Sequence, residues 1–240
     1  MKAVLSKVTG GPETLVIEDV PSPELRPGWA RVKVKAVGIN FPDVLIIEDK
    51  YQSKPPRPFA PGGEVSGIVT EIAPGVTEVK AGDRVLAQIG HGGLVEEIVA
   101  PAGRLTPIPD SMPYDEAAAF ILTYGTSYHA LKDRGHLKAG ETMLVLGAAG
   151  GVGLAAVELG KAMGARVIAA CSSQEKVDLA IRHGAESGVV YGRGPFDRDG
   201  QKQLAQLFKE ACGEKGADVI YDAIGGDYAE PALRSIAWEG

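Results

Sequence analysis

The fold of the second half of this chain is determined by the segment Met143-Leu-Val-Leu-Gly-Ala-Ala-Gly-Gly-Val-Gly153. Its uncharged start, rich in Val and Leu, predicts a buried strand, and its glycines predict a tight turn into the helical pattern of residues 154–164. A strand, turn and helix of this kind can bind an anion. Glycines let a diphosphate approach the backbone, and the first N–H groups of the helix point at the phosphates.

The glycines of this segment form a variant of the dinucleotide fingerprint. Against G-x-G-x-x-G, Ala148 replaces the first glycine, while Gly150 and Gly153 keep the second and third. Such corners also occur as plain structural turns, so the motif alone is weak evidence. However, residues 165–170 predict a second buried strand after a helix stop at Gly164, which closes a βαβ unit of the required length. Together they predict a dinucleotide site.

The residues after the second strand indicate which nucleotide binds. An NAD site places Asp or Glu there to hold the ribose diol, but this chain has Cys171. Ser172, Ser173 and Lys176 follow, and two hydroxyls with a cation suit a phosphate dianion. In a second interpretation, Ser172 and Glu175 form a capping box and Lys176 is solvated. Both can hold at once, since Ser172 could cap the helix while Ser173 and Lys176 face the ligand. We expect NADPH rather than NADH.

Composition excludes several classes of function. A net charge of −6 and a pI near 5.3 argue against nucleic-acid binding, which requires a basic surface. The N-terminus lacks the apolar run of a signal peptide, and the longest uncharged stretch is too short and too rich in glycine to cross a membrane. With only Cys171 and Cys212, no disulfide framework is possible. We expect a cytoplasmic protein with no membrane contact.

Residues 1 to about 113 consist of short segments rich in Val and Ile, separated by Pro and Gly. They predict a barrel-like β domain whose strands cover residues 2–8, 15–20, 29–38, 65–73, 84–88 and 94–100. One helix, from Asn40 to Tyr51, interrupts the strands and precedes a Pro-rich loop.

The rest of the chain alternates helices with strands, as in a doubly wound parallel sheet. Before the dinucleotide unit, residues 115–120 predict the opening of one helix and residues 127–134 predict a second helical segment. After it we expect helices at 174–183, 201–211 and 230–236, and strands at 187–191 and 217–223. Only four strands follow residue 140, where a complete two-half dinucleotide fold has six. The expectation is therefore a fragment of a longer protein. The alternative is a four-stranded variant, whose edge would stay uncovered.

Several separated motifs, in this order, resemble those of the medium-chain dehydrogenase/reductase superfamily. Within it the chain is most similar to the zinc-free NADPH:quinone oxidoreductase (zeta-crystallin-like) family. The motifs are residues 38–43 (GINFPD), 61–67 (PGGEVSG), 81–85 (AGDRV), 147–153 (GAAGGVG) and 216–222 (GADVIYD). The resemblance implies an α/β protein with a GroES-like β-barrel substrate domain at residues 1–120. A Rossmann domain with a doubly wound parallel sheet, truncated at its C-terminal end, would occupy residues 121–240. The full-length form would be a homodimer.

The zinc ligands of metal-dependent relatives are replaced here. Those relatives use a Cys and a His-Glu pair where this chain has Asn40 and Gly63-Glu64. The four histidines lack ligand spacing. We therefore expect no metal. Without a Lewis acid, the hydride of the nicotinamide requires an acceptor that is already electrophilic, such as a quinone or another α,β-unsaturated carbonyl compound.

The resemblance also implies roles for individual residues. Asn40 would lie near the nicotinamide ribose and Thr123 near the nicotinamide. Gly150, Gly151 and Val152 would contact the diphosphate, and the 2′-phosphate would be surrounded by Ser172, Ser173, Lys176 and Tyr191.

Tyr51 would be a catalytic residue together with Asn40, as a proton or hydrogen-bond donor to the acceptor, or else a packing residue at a helix end. Two other functions stay open. One is 2-enoyl-thioester reduction of the enoyl or acryloyl type, in which a Tyr at this position donates the α-proton in relatives. The other is a crystallin-like scaffold that binds NADPH without turnover.

Overall fold

A computed structural model describes residues 1–240, and the chain divides into two compact units, Met1–Leu122 and Thr123–Gly240. None of its helices combines the length and the apolarity needed to cross a membrane.

The first unit consists mainly of antiparallel strands. A five-stranded sheet has the order β6-β3-β4-β5-β7, and β1 pairs with β2 in a separate ribbon. The strands are β1 (Lys2–Leu5), β2 (Val16–Asp19), β3 (Trp29–Gly38), β4 (Glu64–Ile72), β5 (Arg84–Gln88), β6 (Glu97–Pro101) and β7 (Thr106–Pro107). Two helices, α1 (Phe41–Ile47) and α2 (Tyr114–Ala118), and two 3₁₀ turns, Pro12–Thr14 and Ala102–Arg104, complete the unit.

Alternation along β3 shows why these residues form a half-buried sheet. Ala30 and Val32 point into the core and are almost fully buried. Arg31 lies between them on the other face, where its guanidinium pairs with Glu71 at 3.1 Å. A period of two places apolar residues on one face and charged residues on the other, as an antiparallel sheet with one solvated face requires.

The end of β3 is fixed against the end of α2. A Cβ built on Gly38 would lie 2.2 Å from the carbonyl oxygen of Ala118, so only glycine allows this approach. Asn40, the N-cap of α1, follows two residues later.

The second unit contains one parallel sheet in the order β10-β9-β8-β11. Its strands are β8 (Thr142–Leu146), β9 (Arg166–Cys171), β10 (Ser187–Val190) and β11 (Val219–Asp222). Its helices are α3 (Thr126–Tyr128), α4 (Gly151–Ala162), α5 (Gln174–Arg182), α6 (Arg198–Cys212) and α7 (Ala229–Leu233). Ile121–Gly125 and His129–Arg134 form π-helical turns, and Gly226–Tyr228 forms a 3₁₀ turn.

The central strands β8 and β9 are covered on both faces, since they are buried over nearly their whole length. One face packs on residues of α4 and α5, and the other on residues of α6 and α7. The sequence prediction of a parallel sheet with strand and helix in alternation is therefore confirmed.

Several predicted boundaries are wrong. The first strand ends at Leu5, and β6 begins at Glu97. The helix predicted from Asn40 to Tyr51 covers only Phe41–Ile47, and Asp49 has a φ of 58°, which ends it. The helix predicted from residue 201 begins earlier, at Arg198, because the side chain of Asp197 caps it by accepting from Gly200 N at 2.7 Å.

Candidate functional site

A cavity of about 330 Å³ lies at the carboxyl ends of all four strands of the parallel sheet. It is lined by Gly147, Ala149, Gly150, Val152, Cys171, Ser172, Lys176, Tyr191, Ala223 and Ile224. These residues follow β8, β9, β10 and β11 in that order. Because β8 has β9 on one side and β11 on the other, the chain reverses its direction of winding there. Open α/β sheets bind ligands outside the strand ends at such a switch point.

The glycines after β8 form a close backbone corner. Gly147 has a φ of +67°, and its carbonyl accepts a hydrogen bond from Gly150 N at 2.9 Å. The helix α4 begins at Gly151, so its N-terminus follows at once. A Cβ on Gly153 would lie 2.2 Å from the carbonyl oxygen of Gly147. The corner thus places the positive end of a twelve-residue helix beside the cavity, a favourable position for an anion.

The turn after β9 supplies the polar groups of the cavity. Lys176 donates from Nζ to Ser172 Oγ at 3.2 Å, and both residues line the cavity. Cys171 is buried, and burial raises the pKa of its thiol, which therefore stays protonated at neutral pH. The residues that line the cavity here supply one cation and no carboxylate.

The start of α5 differs from the predicted one. The N-cap of α5 is Ser173, whose side chain makes no capping hydrogen bond, and the helix begins at Gln174. Glu175 is then the second helical residue, so the predicted capping box of Ser172 with Glu175 is wrong. Ser172 lines the cavity, and Ser173 does not.

Tyr191 closes the cavity beyond the end of β10. It is buried, and its ring lies 5.0 Å from that of Tyr228 and 6.4 Å from that of Phe208. Burial raises the pKa of Tyr191 to about 12. Its phenol is therefore protonated throughout the physiological range and can donate a hydrogen bond to a ligand.

Two further predicted residues lie near the corner without lining the cavity. Gly151 is the first residue of α4, and a Cβ there would lie 3.3 Å from Thr123 Cγ2.

Sequence reasoning missed Ala223 and Ile224, which line the cavity after β11. The carboxylate of Asp222 holds this segment by accepting from Ile224 N at 2.9 Å and Gly225 N at 2.8 Å. The only sequence signal for it was the strand that ends at Asp222.

Asn40 and Tyr51 belong to the first unit, where they line a smaller cavity of about 90 Å³. The other lining residues are Pro42, Asp43, Ile46, Gly63, Gln88, Gly90 and Leu122. Tyr51 is half-buried and packs against the apolar cluster of Ile46, Ile47 and Phe59. Tyr51 thus combines an apolar neighbourhood with a place in the lining of the same cavity as Asn40.

Asn40 is the N-cap of α1 and is held from several sides. Its backbone N–H donates to Asp43 Oδ2 at 2.8 Å, and Gly62 N donates to the other oxygen of Asp43 at 3.0 Å. The side-chain Nδ2 of Asn40 donates to Glu64 Oε2 at 3.2 Å. The carboxylate of Glu64 is fully buried, and burial raises its pKa. Sequence reasoning named Glu64 only as part of the replaced zinc motif.

The histidines lie in separate surroundings. His91 packs edge-on against Phe59, with 5.9 Å between ring centroids, and His129 Nδ1 lies 2.8 Å from Asp133. His183 Nδ1 lies 2.5 Å from Glu158, which also accepts from the hydroxyl of Tyr124. No group of three or more His, Cys, Asp or Glu side chains could hold a metal ion.

Two family models match the chain. The model described as the alcohol dehydrogenase GroES-like domain matches residues 26–110, and the model described as zinc-binding dehydrogenase matches residues 151–240. The architecture is accordingly a GroES-like domain with a Rossmann-type parallel sheet.

Individual proteins with related sequences carry quinone oxidoreductase names. Quinone oxidoreductase-like protein 2 of Bos taurus is 41% identical over 94% of this chain and 63% of its own length. The quinone oxidoreductase of Pseudomonas aeruginosa is 35% identical over 96% of this chain and 69% of its own. The chain thus spans about 63% of the length of the first of these relatives.

Among solved structures, the Escherichia coli quinone oxidoreductase complexed with NADPH superimposes with a TM-score of 0.88. It is 31% identical to this chain, and the match covers 98% of this chain and 70% of the bacterial one.

Proposed function

Because this chain belongs to the quinone oxidoreductase family of the medium-chain dehydrogenase/reductase superfamily, we propose that it is part of an NADPH-dependent reductase. The substrate is a quinone or a related α,β-unsaturated carbonyl compound, reduced without a metal. The observation that carries the proposal is the cavity in which a glycine corner and a helix N-terminus lie beside Lys176.

The residues at this cavity fit the cofactor. The close approach at Gly153 keeps the corner free of side chains, which leaves room for the diphosphate at Gly150, Gly151 and Val152. Lys176 and Ser172 supply a cation and a hydroxyl where an NAD site has a carboxylate, so they favour the additional 2′-phosphate. Tyr191 adds a neutral donor. Ser173 and Thr123, which lie outside the lining, remain proposed contacts by resemblance.

Bound NADPH would supply a hydride, and the remaining work is positioning. In the first unit, the Asn40 amide and the Tyr51 hydroxyl lie at one small cavity, where they can orient an acceptor and offer hydrogen bonds to the oxygen on which charge develops. We also propose that the reaction needs no metal. The Asn40 amide is hydrogen-bonded to Glu64, and Gly63 has no side chain that could act as a metal ligand.

The cofactor proposal is tested by titrating the 240-residue chain with NADPH and NADH and following nicotinamide fluorescence. NADPH should bind at least tenfold more tightly, since one charge-assisted contact to a phosphate is worth roughly 1.5–3 kcal/mol. Equal affinities would refute it.

A second candidate is 2-enoyl-thioester reduction, which is favoured by the position of Tyr51. A half-buried phenol among apolar side chains can donate a proton to a developing carbanion. Oxidation of NADPH should be compared with a benzoquinone and with a short enoyl thioester, in the wild type and in Tyr51→Phe. Loss of turnover with the thioester alone would support this candidate. Tight NADPH binding without consumption of any acceptor would instead support a scaffold.

A further inference from the structure

Glu64 is a fully buried carboxylate that neither proposed reaction uses. It is the first residue of β4, and its side chain is completely excluded from solvent. Both of its oxygens accept hydrogen bonds: Oε1 accepts from Leu122 N at 3.0 Å, and Oε2 accepts from Asn40 Nδ2 at 3.2 Å. Burying a carboxylate is costly unless donors compensate it, so these two bonds, together with one from the backbone N–H of Ile121, hold Glu64 in place.

The two donors differ in one important respect. The backbone N–H of Leu122 can only donate, whereas a side-chain amide such as that of Asn40 can present either its nitrogen or its oxygen. An ionised carboxylate accepts at both oxygens, so it requires the nitrogen of Asn40 to face it. The oxygen Oδ1 of Asn40 must then lie on the opposite side of the amide.

We propose that Glu64 is a positioning residue that fixes the orientation of the Asn40 amide, with Nδ2 toward Glu64 and Oδ1 away from it. The functional part of this inference rests on the proposed function, with Asn40 near the nicotinamide ribose as the resemblance to the family implies. The carboxylate acts through Asn40 and does not itself touch the ligand.

Glu64→Gln tests the orientation because it keeps the size of the side chain and changes its polarity. Leu122 N can only donate, so the oxygen of the new glutamine must face Leu122. Its NH₂ group then faces Asn40, where two donors would meet. The Asn40 amide then either rotates by half a turn, which gives up its part in the capping box with Asp43, or keeps its orientation and loses its bond to residue 64. Either change frees the Nδ2 protons from the buried partner.

Asn40→Asp provides the compensating change. In the double variant Glu64→Gln/Asn40→Asp, the aspartate accepts from the glutamine NH₂ and presents a second oxygen where Oδ1 was. The number of carboxylates is unchanged. Asn40→Asp alone places two carboxylates against each other and should be the worst of the three variants. Glu71→Gln, at the exposed far end of the same strand, is the matched control.

The first readout is the NMR signal of the Asn40 side chain. Asn40 is the only asparagine of the chain, so selective ¹⁵N-asparagine labelling gives a single NH₂ pair. In the wild type and in Glu71→Gln, one proton of this pair should exchange slowly with water, because it is bonded to a buried carboxylate. Glu64→Gln should accelerate that exchange at least tenfold. Unchanged exchange would overturn the inference.

The second readout is NADPH affinity, measured by nicotinamide fluorescence. Glu64→Gln should weaken binding about tenfold, the scale of one lost hydrogen bond, and the double variant should return to within about threefold of the wild type. If both variants bind like the wild type, the functional part of the inference is wrong. If the wild type itself fails to bind NADPH, the proposed function fails, while the exchange measurement still decides the orientation of Asn40.

Discussion

The glycine corner of the second unit leads to a specific prediction for Gly153→Ala. The new Cβ would lie 2.2 Å from the carbonyl oxygen of Gly147, whereas real Cβ atoms almost never approach another heavy atom closer than 3.0 Å. The two atoms must therefore separate by at least about 0.8 Å. The atoms nearest to the new Cβ all belong to the backbone of Gly147 and Ala148, so no side chain can rotate away to relieve the contact.

The magnitude follows from two opposing effects. Overpacking of this kind typically costs about 1–3 kcal/mol, and an immovable backbone puts the cost near the upper limit. Replacing a helical glycine with alanine regains about 1 kcal/mol of helix propensity. The net loss is therefore about 2 kcal/mol, which lowers the melting temperature of a chain of this size by about 4–8 °C.

Thermal unfolding of the ligand-free chain, followed by circular dichroism, checks this value. The matched control is Gly151→Ala in the same helix, where the nearest obstacle is a methyl group of Thr123 at 3.3 Å. That methyl belongs to a side chain that can yield, so the control should be as stable as the wild type or more so. If Gly153→Ala melts at the same temperature as Gly151→Ala, the account of the corner is wrong.

Three further predictions follow from other contacts. Lys176→Ala should weaken NADPH binding about tenfold and leave NADH binding unchanged, with a difference that shrinks at high salt; calorimetric titration checks this. Gly38→Ala should lower the free energy of unfolding in urea by about 2 kcal/mol, because its Cβ would clash with Ala118, and full stability would contradict the proposed contact. Burial tends to raise the pKa of Glu158, but its two hydrogen bonds outweigh burial and lower it, so stability should decline as the pH falls below its ordinary value of 4.5. Glu158→Gln should flatten that decline in urea unfolding measured from pH 6 down to pH 3.

The sequence was sufficient to predict the elements whose patterns are local. The strands Trp29–Gly38 and Arg84–Gln88 lie where alternation and flanking turns placed them. The parallel sheet was likewise predicted from strands alternating with helices. The end of the first strand was less predictable, because residues 6–8 carry the same kind of pattern but leave the sheet: Ser6 pairs only as an isolated bridge with Phe59.

The candidate site was predictable only in part, because some of its residues are brought together by tertiary contacts that no local pattern contains. The glycine corner belongs to the βαβ unit and Lys176 follows that unit's second strand, so both could be identified from their positions in the sequence. Ile224 reaches the cavity because β11 lies next to β8, and strand order is not contained in a local pattern. The hydrogen bond between Asn40 and Glu64 likewise joins residues from two elements. Pairings of this kind depend on tertiary structure.

The placement of the cavity across four strand ends has a consequence for how cofactor preference can change. The corner after β8 and the turn after β9 share no residues, although both face the same space. Dinucleotides with and without a 2′-phosphate present the same diphosphate to the glycine corner and differ only at the turn after β9. If the proposed site is correct, discrimination between them can therefore be rewritten in the short turn from Cys171 to Lys176, while the glycine corner stays unaltered.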